Sequence, residues 1–133
     1  MKSRESQSRI ISLGGIEAVV NAMLTHPADA TVQKQGCVAL DSFVACDFGN
    51  QARVASAGGI RAIITAMHTH LKVPSVQEWA CAALASLIAG NNANLVSALK
   101  VGGRDAVSAA LKKHPSESKV QHWAQVVLDQ FNR

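Results

Sequence analysis

A pair of glycines recurs along this chain at one fixed interval and constrains its fold more than any other feature. The stretches that begin at the pairs read GGIEAVVNAM, GGIRAIITAM and GGRDAVSAAL, and the pairs are Gly14-Gly15, Gly58-Gly59 and Gly102-Gly103. They start at positions 14, 58 and 102, so the spacing is 44 residues both times. A fixed period of roughly 20 to 50 residues is the signature of a repeat protein. We therefore expect three copies of one unit, at about 6–49, 50–93 and 94–133.

Identical residues support the same division of the chain. Eight positions carry one residue type in all three copies, and in the first copy these are Gly14, Gly15, Ala18, Ala22, His26, Val32, Gln33 and Leu40. Hydrophobic residues make up 48% of the 133 residues, but aromatic residues only 4%, and tyrosine is absent. Small aliphatic side chains suit closely packed helices, so we expect one all-α domain that spans residues 1–133.

Each repeat is expected to contain three helices. In the first repeat, the sequence predicts a short helix near Ser6–Leu13, a second helix over Gly15–Thr25 and a third over Thr31–Ala45. Gly14 tolerates the left-handed conformation that ends a helix, and Gly15 lets the backbones of two helices approach closely. The later repeats add three expectations. A short helix starts near Asn50, which is a good N-cap, the third repeat starts at Asn94, and Ser75 and Glu78 have capping-box spacing.

The third repeat departs from the other two in a consistent direction. Arg104 replaces an isoleucine, Ser108 replaces a valine or isoleucine, and Gln125 replaces a cysteine. A repeat array needs a polar surface at its end, so these changes indicate that the array ends near Arg133. The first repeat shows no comparable polar surface, which leaves open whether further sequence precedes it.

Charge and cysteine content limit the class of protein. The net charge is +4 and no block of five like charges occurs, so no basic arm for nucleic acid is expected. Three cysteines, an odd number, argue against a disulfide framework. Residues 1–9 lack the apolar core of a signal peptide, and no apolar run reaches the length of a membrane span. We expect an intracellular protein, in the cytoplasm or nucleus.

The third helices of the repeats carry a family resemblance. They read VQKQGCVAL, VQEWACAAL and VQHWAQVVL, and each follows a glycine joint and an apolar second helix. This pattern resembles the armadillo repeat over essentially the whole chain. The resemblance implies a right-handed α-solenoid, an armadillo-like superhelix whose third helices line a concave groove. It also implies a platform that binds proteins or extended peptides and has no catalytic activity or cofactor.

The resemblance also places a set of groove residues. The importin-α type carries tryptophan where this chain has Val38, Ala82 and Val126, and asparagine where it has Ser42, Ser86 and Gln130, so its ladder is absent and its nuclear-signal binding is not implied. With the tryptophans of this chain and their neighbours, the predicted groove residues are Lys34, Gln35, Val38, Ser42, Glu78, Trp79, Ala82, Ser86, His122, Trp123, Val126 and Gln130. Trp79 and Trp123 share one repeat position. The sequence leaves open whether they face the groove, as binding anchors, or pack between repeats.

A second set of shared positions invites a metal interpretation. His26, His70 and His114 recur at the 44-residue period, but equivalent residues of stacked repeats lie roughly 10 Å apart. Metal ligands must instead converge to about 2 Å from one ion. A histidine at the C-terminal end of a helix bonds well to the free carbonyl groups there, so we expect a structural role. No metal site is expected.

Three functions remain after these exclusions. The favoured one is a non-enzymatic module that binds a protein or peptide in the groove, since no G-x-S-x-G, H-E-x-x-H or P-loop motif occurs. One alternative is a solenoid that binds nucleic acid on a basic concave face. The other is a self-associating repeat region of a larger scaffold or signalling protein, which forms homo-oligomers through the N-terminal repeat face. No contact with membranes is expected.

Overall fold

The structure is a computed structural model that describes residues 14–133. The short helix expected near Ser6–Leu13 lies outside the described residues. Across residues 14–133 the chain forms eight α-helices and no strand, which confirms the all-α expectation. The helices are α1 (Gly15–Thr25), α2 (Ala30–Cys46), α3 (Asn50–Ser56), α4 (Gly59–Thr69), α5 (Pro74–Ile88), α6 (Asn92–Lys100), α7 (Gly103–Lys113) and α8 (Ser118–Phe131).

The helices follow the spacing of the sequence. Helices α1, α4 and α7 each have 11 residues and each begins at the second glycine of a pair. The bounds expected for α1 are confirmed, and α2 extends one residue further at each end than expected. Asp29 caps α2, because its side chain accepts a hydrogen bond from the Val32 amide at 3.1 Å.

The capping box expected in the second repeat is wrong. Helix α5 begins at Pro74 with Val73 as its N-cap, so Ser75 lies inside the first turn and makes no capping box with Glu78. Pro74 fits there because the first helical residue needs no amide donor.

Helix α3 begins at Asn50, as expected, but Asn50 is not its N-cap. Gly49 takes that position, and the side-chain amide of Asn50 instead donates to the Phe43 carbonyl at 2.9 Å. Helix α6 starts before Asn94, since the side chain of Asn91 caps it and accepts from the Asn94 amide at 3.0 Å.

The packing places α5 at the centre of the molecule. Helix α5 packs most extensively against α2 on one side and against α8 on the other. Helix α4 contacts α1 and α7 in the same way, and α1, α4 and α7 pack on α2, α5 and α8. One continuous cluster of buried aliphatic side chains joins these elements and includes Ile16, Leu40, Ile63, Leu84 and Val107. Helices α2, α5 and α8 thus form one row, and α1, α4 and α7 form a second.

The positive φ expected at the first glycine occurs in all three pairs, and the close approach expected at the second occurs in the second and third pairs. Gly14, Gly58 and Gly102 have φ angles of 84°, 89° and 90°, in the left-handed region that disfavours other residues. The second glycine has a different constraint. A Cβ at Gly59 would lie 2.4 Å from a Val54 side-chain carbon, and one at Gly103 would lie 2.7 Å from the Ala98 carbonyl oxygen. The second and third pairs therefore combine a positive φ with a close approach of two helices.

A glutamine in each third helix holds the end of the second helix. The Nε2 atom of Gln33 donates to the carbonyls of Met23 at 3.0 Å and His26 at 2.8 Å. Gln77 and Gln121 repeat this pair of bonds 44 and 88 residues later, to Met67 and His70 and to Leu111 and His114. The last carbonyls of a helix have no partner within it, so the glutamines satisfy groups that the packing would otherwise leave buried and unpaired.

We expect the Gly58→Val substitution to destabilise the protein strongly. Valine would have to adopt a left-handed φ, which costs about 1–2 kcal/mol before any steric clash with neighbouring atoms. Thermal and urea unfolding followed by circular dichroism would measure the loss. Gly49→Ala is the control, because Gly49 has an ordinary helical φ of −58°. A melting temperature for Gly58→Val equal to that of the wild type would contradict the role given to the joint.

The Gln77→Ala substitution should lower the free energy of unfolding by about 2 kcal/mol or more, since two carbonyls at the end of α4 lose their donor. The same unfolding measurement on Gln125→Ala serves as the control. Gln125 is exposed, so its loss should change stability by less than about 0.5 kcal/mol. Equal effects of the two substitutions would show that the buried amide bonds contribute nothing specific.

Candidate functional site

The row formed by α2, α5 and α8 carries all the residues that the sequence placed in a groove. Their exposure differs. Ala82 is buried, most of the others are half-buried, and Lys34, Gln35 and His122 are exposed. Helix α5 packs between α2 and α8, and α1, α4 and α7 cover one side of this row. On the other side, side chains from helices that are distant in sequence lie close together.

A cavity of about 300 Å³ lies on this side of the row. Its lining includes five of the predicted groove residues, Glu78, Trp79, Ala82, Ser86 and Trp123. Asp41 of α2 and Lys119 of α8 complete the lining, although neither was among the predicted groove residues. We call this space the tryptophan cavity.

The other predicted groove residues do not line the tryptophan cavity. Gln35 borders a second cavity, with Val19, Ala22 and Val32, and Gln130 borders a third, with Asn91 and Arg133. None of the three cavities is lined by the remaining five, which are Lys34, Val38, Ser42, His122 and Val126. The structure therefore concentrates the predicted site at α5 and the start of α8.

The two tryptophans contact both the hydrophobic core and the tryptophan cavity. Trp79 and Trp123 are half-buried, pack against the hydrophobic core with one part of the side chain, and border the cavity. The His122 ring meets the Trp123 ring edge-on, with 4.8 Å between centroids and an interplanar angle of 80°. Such contacts restrict the indole rings, so they present fixed apolar surfaces to the cavity.

Charged groups surround these rings. Asp41 accepts a hydrogen bond from the Ser86 hydroxyl, which links α2 to α5 beneath the cavity. Glu78 contributes a second carboxylate and Lys119 one ammonium group. Indole faces attract cations, and carboxylates form strong charge-assisted hydrogen bonds with them. The cavity thus combines apolar walls with an excess of one negative charge.

Asp41 and Lys119 illustrate what the sequence pattern could and could not reveal. Asp41 precedes the predicted groove residue Ser42, so the sequence could have predicted its position beside the groove. Its bond to Ser86, 45 positions later, depends on how α2 and α5 align side by side. Lys119 stands in the first turn of α8, one turn before Trp123. One helical turn is the spacing at which side chains share a face, which is the signal for Lys119.

Two of the recurring histidines, His70 and His114, connect a turn of their own repeat to the equivalent turn of the repeat before it. The His70 ring nitrogen Nε2 lies 2.8 Å from the Pro27 carbonyl oxygen, and that of His114 lies 2.7 Å from the Leu71 carbonyl oxygen. Each ring donates across 43 residues to the turn that follows the preceding second helix, rather than, as the sequence predicted, to the carbonyls at the end of its own helix. Over residues 14–133, no group of three His, Cys, Asp or Glu side chains is placed to hold a metal ion.

Two of the three cysteines have thiols that burial makes unreactive. Cys37 and Cys81 are buried in α2 and α5, and burial raises the pKa of each thiol to about 12. For Cys37, the nearby Cys81 and Asp41 raise the pKa further. The reactive form is the thiolate, which such a pKa keeps scarce at neutral pH.

No protein-family model, curated protein or solved structure matches this chain. The resemblance to armadillo repeats therefore rests on the sequence pattern. Among the helices of residues 14–133, none is long and apolar enough to cross a lipid bilayer.

The cysteines should differ in reactivity. We expect iodoacetamide to modify the half-buried Cys46 at least about tenfold faster than Cys37 or Cys81 in the native protein at neutral pH. Peptide mass spectrometry at successive times would give the three rates. In denaturant the three rates should become similar, because the burial that raises the pKa is lost. Labelling of Cys37 or Cys81 at the rate of Cys46 in native protein would contradict their buried placement.

Proposed function

We propose that this chain is an armadillo-like, right-handed α-solenoid of three repeats that binds an extended segment of a partner protein, without catalysis. The row of α2, α5 and α8 corresponds to the third helices that line the groove in that architecture. The observation that carries the proposal is the tryptophan cavity, where Trp79 and Trp123 from successive repeats border one space.

The size of the cavity supports a side chain as its occupant. Pockets for small molecules usually span roughly 300–1,000 Å³, and about 300 Å³ is at the low end of that range. One long side chain of a peptide fits such a volume, while the rest of the peptide lies along the row. Tryptophans are also enriched among the residues that dominate binding energy in protein interfaces.

The charges of the cavity favour a cationic side chain. The carboxylates of Asp41 and Glu78 come from two helices, and Lys119 provides one opposing charge. An arginine or lysine of the partner would place its aliphatic part against the indole rings and its charged end near the carboxylates. We therefore propose that the partner presents a basic residue at this point.

The same charges argue against nucleic acid as the ligand. Phosphate binding requires clustered lysine and arginine, and two carboxylates beside the tryptophans would repel a polyanion. The two functions differ in a measurable way. Affinity for nucleic acid would fall steeply as salt concentration rises, whereas a peptide held mainly by tryptophan contacts would depend on salt only weakly.

The test is a selection of peptides from a displayed random library on the wild-type protein. We expect peptides with a lysine or arginine at a common position to be enriched. Trp79→Ala or Trp123→Ala should weaken their binding at least about tenfold, since each removes a wall of the cavity. Circular dichroism should show helicity near that of the wild type for both variants.

Two controls make this result specific to the cavity. Phe48→Ala removes an exposed aromatic ring outside the cavity and should leave binding unchanged. Asp41→Asn should weaken the binding of the basic peptides. Asp129→Asn, at the same repeat position on α8, should leave their binding unchanged. A selection that yields no peptide sensitive to either tryptophan would overturn the proposed function. Enriched peptides without a basic residue would overturn only the assignment of its ligand.

A further inference from the structure

The outer side of α1 and α2 presents an apolar surface that we call the N-terminal face. It consists of Ala18, Val19, Ala22, Val32 and Ala39, of which Ala18 is exposed and the others are half-buried. A cavity of about 260 Å³ lies on this face, and Gln35 and Gly36 complete its lining. None of these seven residues carries a charge.

The molecule itself shows twice what such a surface packs against. The residues 44 positions after the N-terminal face are at most 2% exposed, and they are Ala62, Ile63, Ala66, Val76 and Ala83. Those 88 positions after it are at most 1% exposed, and they are Ala106, Val107, Ala110, Val120 and Val127. In both cases a preceding helix pair covers them, α1 with α2 and then α4 with α5. The N-terminal face is the copy of this interface that has no partner among residues 14–133.

The opposite end of the molecule is built differently. There, Arg104 donates to the side chain of Asn132 and lies 5.9 Å from the centre of the Phe131 ring. Gln125 donates to the Asp129 carboxylate at 2.9 Å. These polar groups are already paired with one another at the surface, so this end is closed to apolar packing.

We propose that the N-terminal face binds the N-terminal face of a second copy of this chain and forms a two-fold symmetric dimer. A head-to-tail contact would bury Arg104 and Gln125 against alanine and valine, and burying polar groups without partners is costly. Pairing of like faces buries no charged group, because the N-terminal face carries none and Gln35 is its one polar side chain. A contact between identical faces also closes after two copies, so it produces no filament.

Sedimentation velocity over a range of protein concentrations tests the dimer directly. The wild type should shift from monomer to dimer as concentration rises. Ala18→Glu and Ala39→Glu should each raise the dissociation constant at least about tenfold, because two-fold symmetry places two carboxylates in one apolar interface. Ala18 is exposed, so its substitution tests the interface even if Ala39→Glu impairs folding.

Ser108→Glu is the matched control at the opposite end, and it should dimerise like the wild type. A wild type that stays monomeric at every concentration overturns the proposal. So does a dimer that persists in a folded Ala18→Glu variant. If Ser108→Glu also weakens the dimer, the contact is head-to-tail and the two-fold arrangement is wrong. None of these outcomes depends on the tryptophan cavity, so peptide binding and dimerisation can fail separately.

Discussion

Hydrogen bonding to the carbonyls at helix ends is the constraint on which the rest of the structure depends. Close packing buries the last carbonyl groups of the second and third helices, and buried acceptors without donors cost about 1–3 kcal/mol each. Between residues 14 and 133, every buried polar side chain donates to such a carbonyl, although the Oε1 atom of Gln77 is itself left without a donor. Each donates to a backbone carbonyl in the last turn of a helix or in the turn that follows, and these residues are Gln33, Asn50, Gln51, Gln77, Asn94 and His114. The buried polar side chains thus share one role, which is to donate hydrogen bonds to the carbonyls at helix ends.

This arrangement connects the core to the candidate site. Gln77 lies on the buried side of α5 and fixes that helix to the end of α4. Trp79 stands two residues later on the same helix and borders the tryptophan cavity. Residues two apart on a helix point in different directions, so one side of α5 is held in the core while the other faces the cavity. A binding site on a helix fixed in this way presents its side chains in a defined geometry.

The sequence predicted those features that depend on one residue type in one local conformation. Gly58 is the best example, because a positive φ strongly favours glycine and the period repeats the requirement. Asn50 was misassigned as an N-cap because its bond to Phe43 depends on how α2 meets α3, which local sequence does not show. The bond between Asp41 and Ser86 depends in the same way on how α2 and α5 align, whereas Lys119 could have been predicted from its place one turn before Trp123. Features set by one residue type in one local conformation could be predicted from the sequence, whereas contacts between helices could not.

Gln35 lies where the two proposed surfaces meet and shows how they are compatible. It belongs to the predicted groove, yet in the structure it borders the N-terminal face. The second and third repeats carry Trp79 and Trp123 at its position, and these line the tryptophan cavity instead. A dimer through the N-terminal face would therefore cover the first-repeat portion of the row and leave the tryptophan cavity open. Two cavities would then lie in one particle, so a partner with two basic segments would gain affinity through effective concentration.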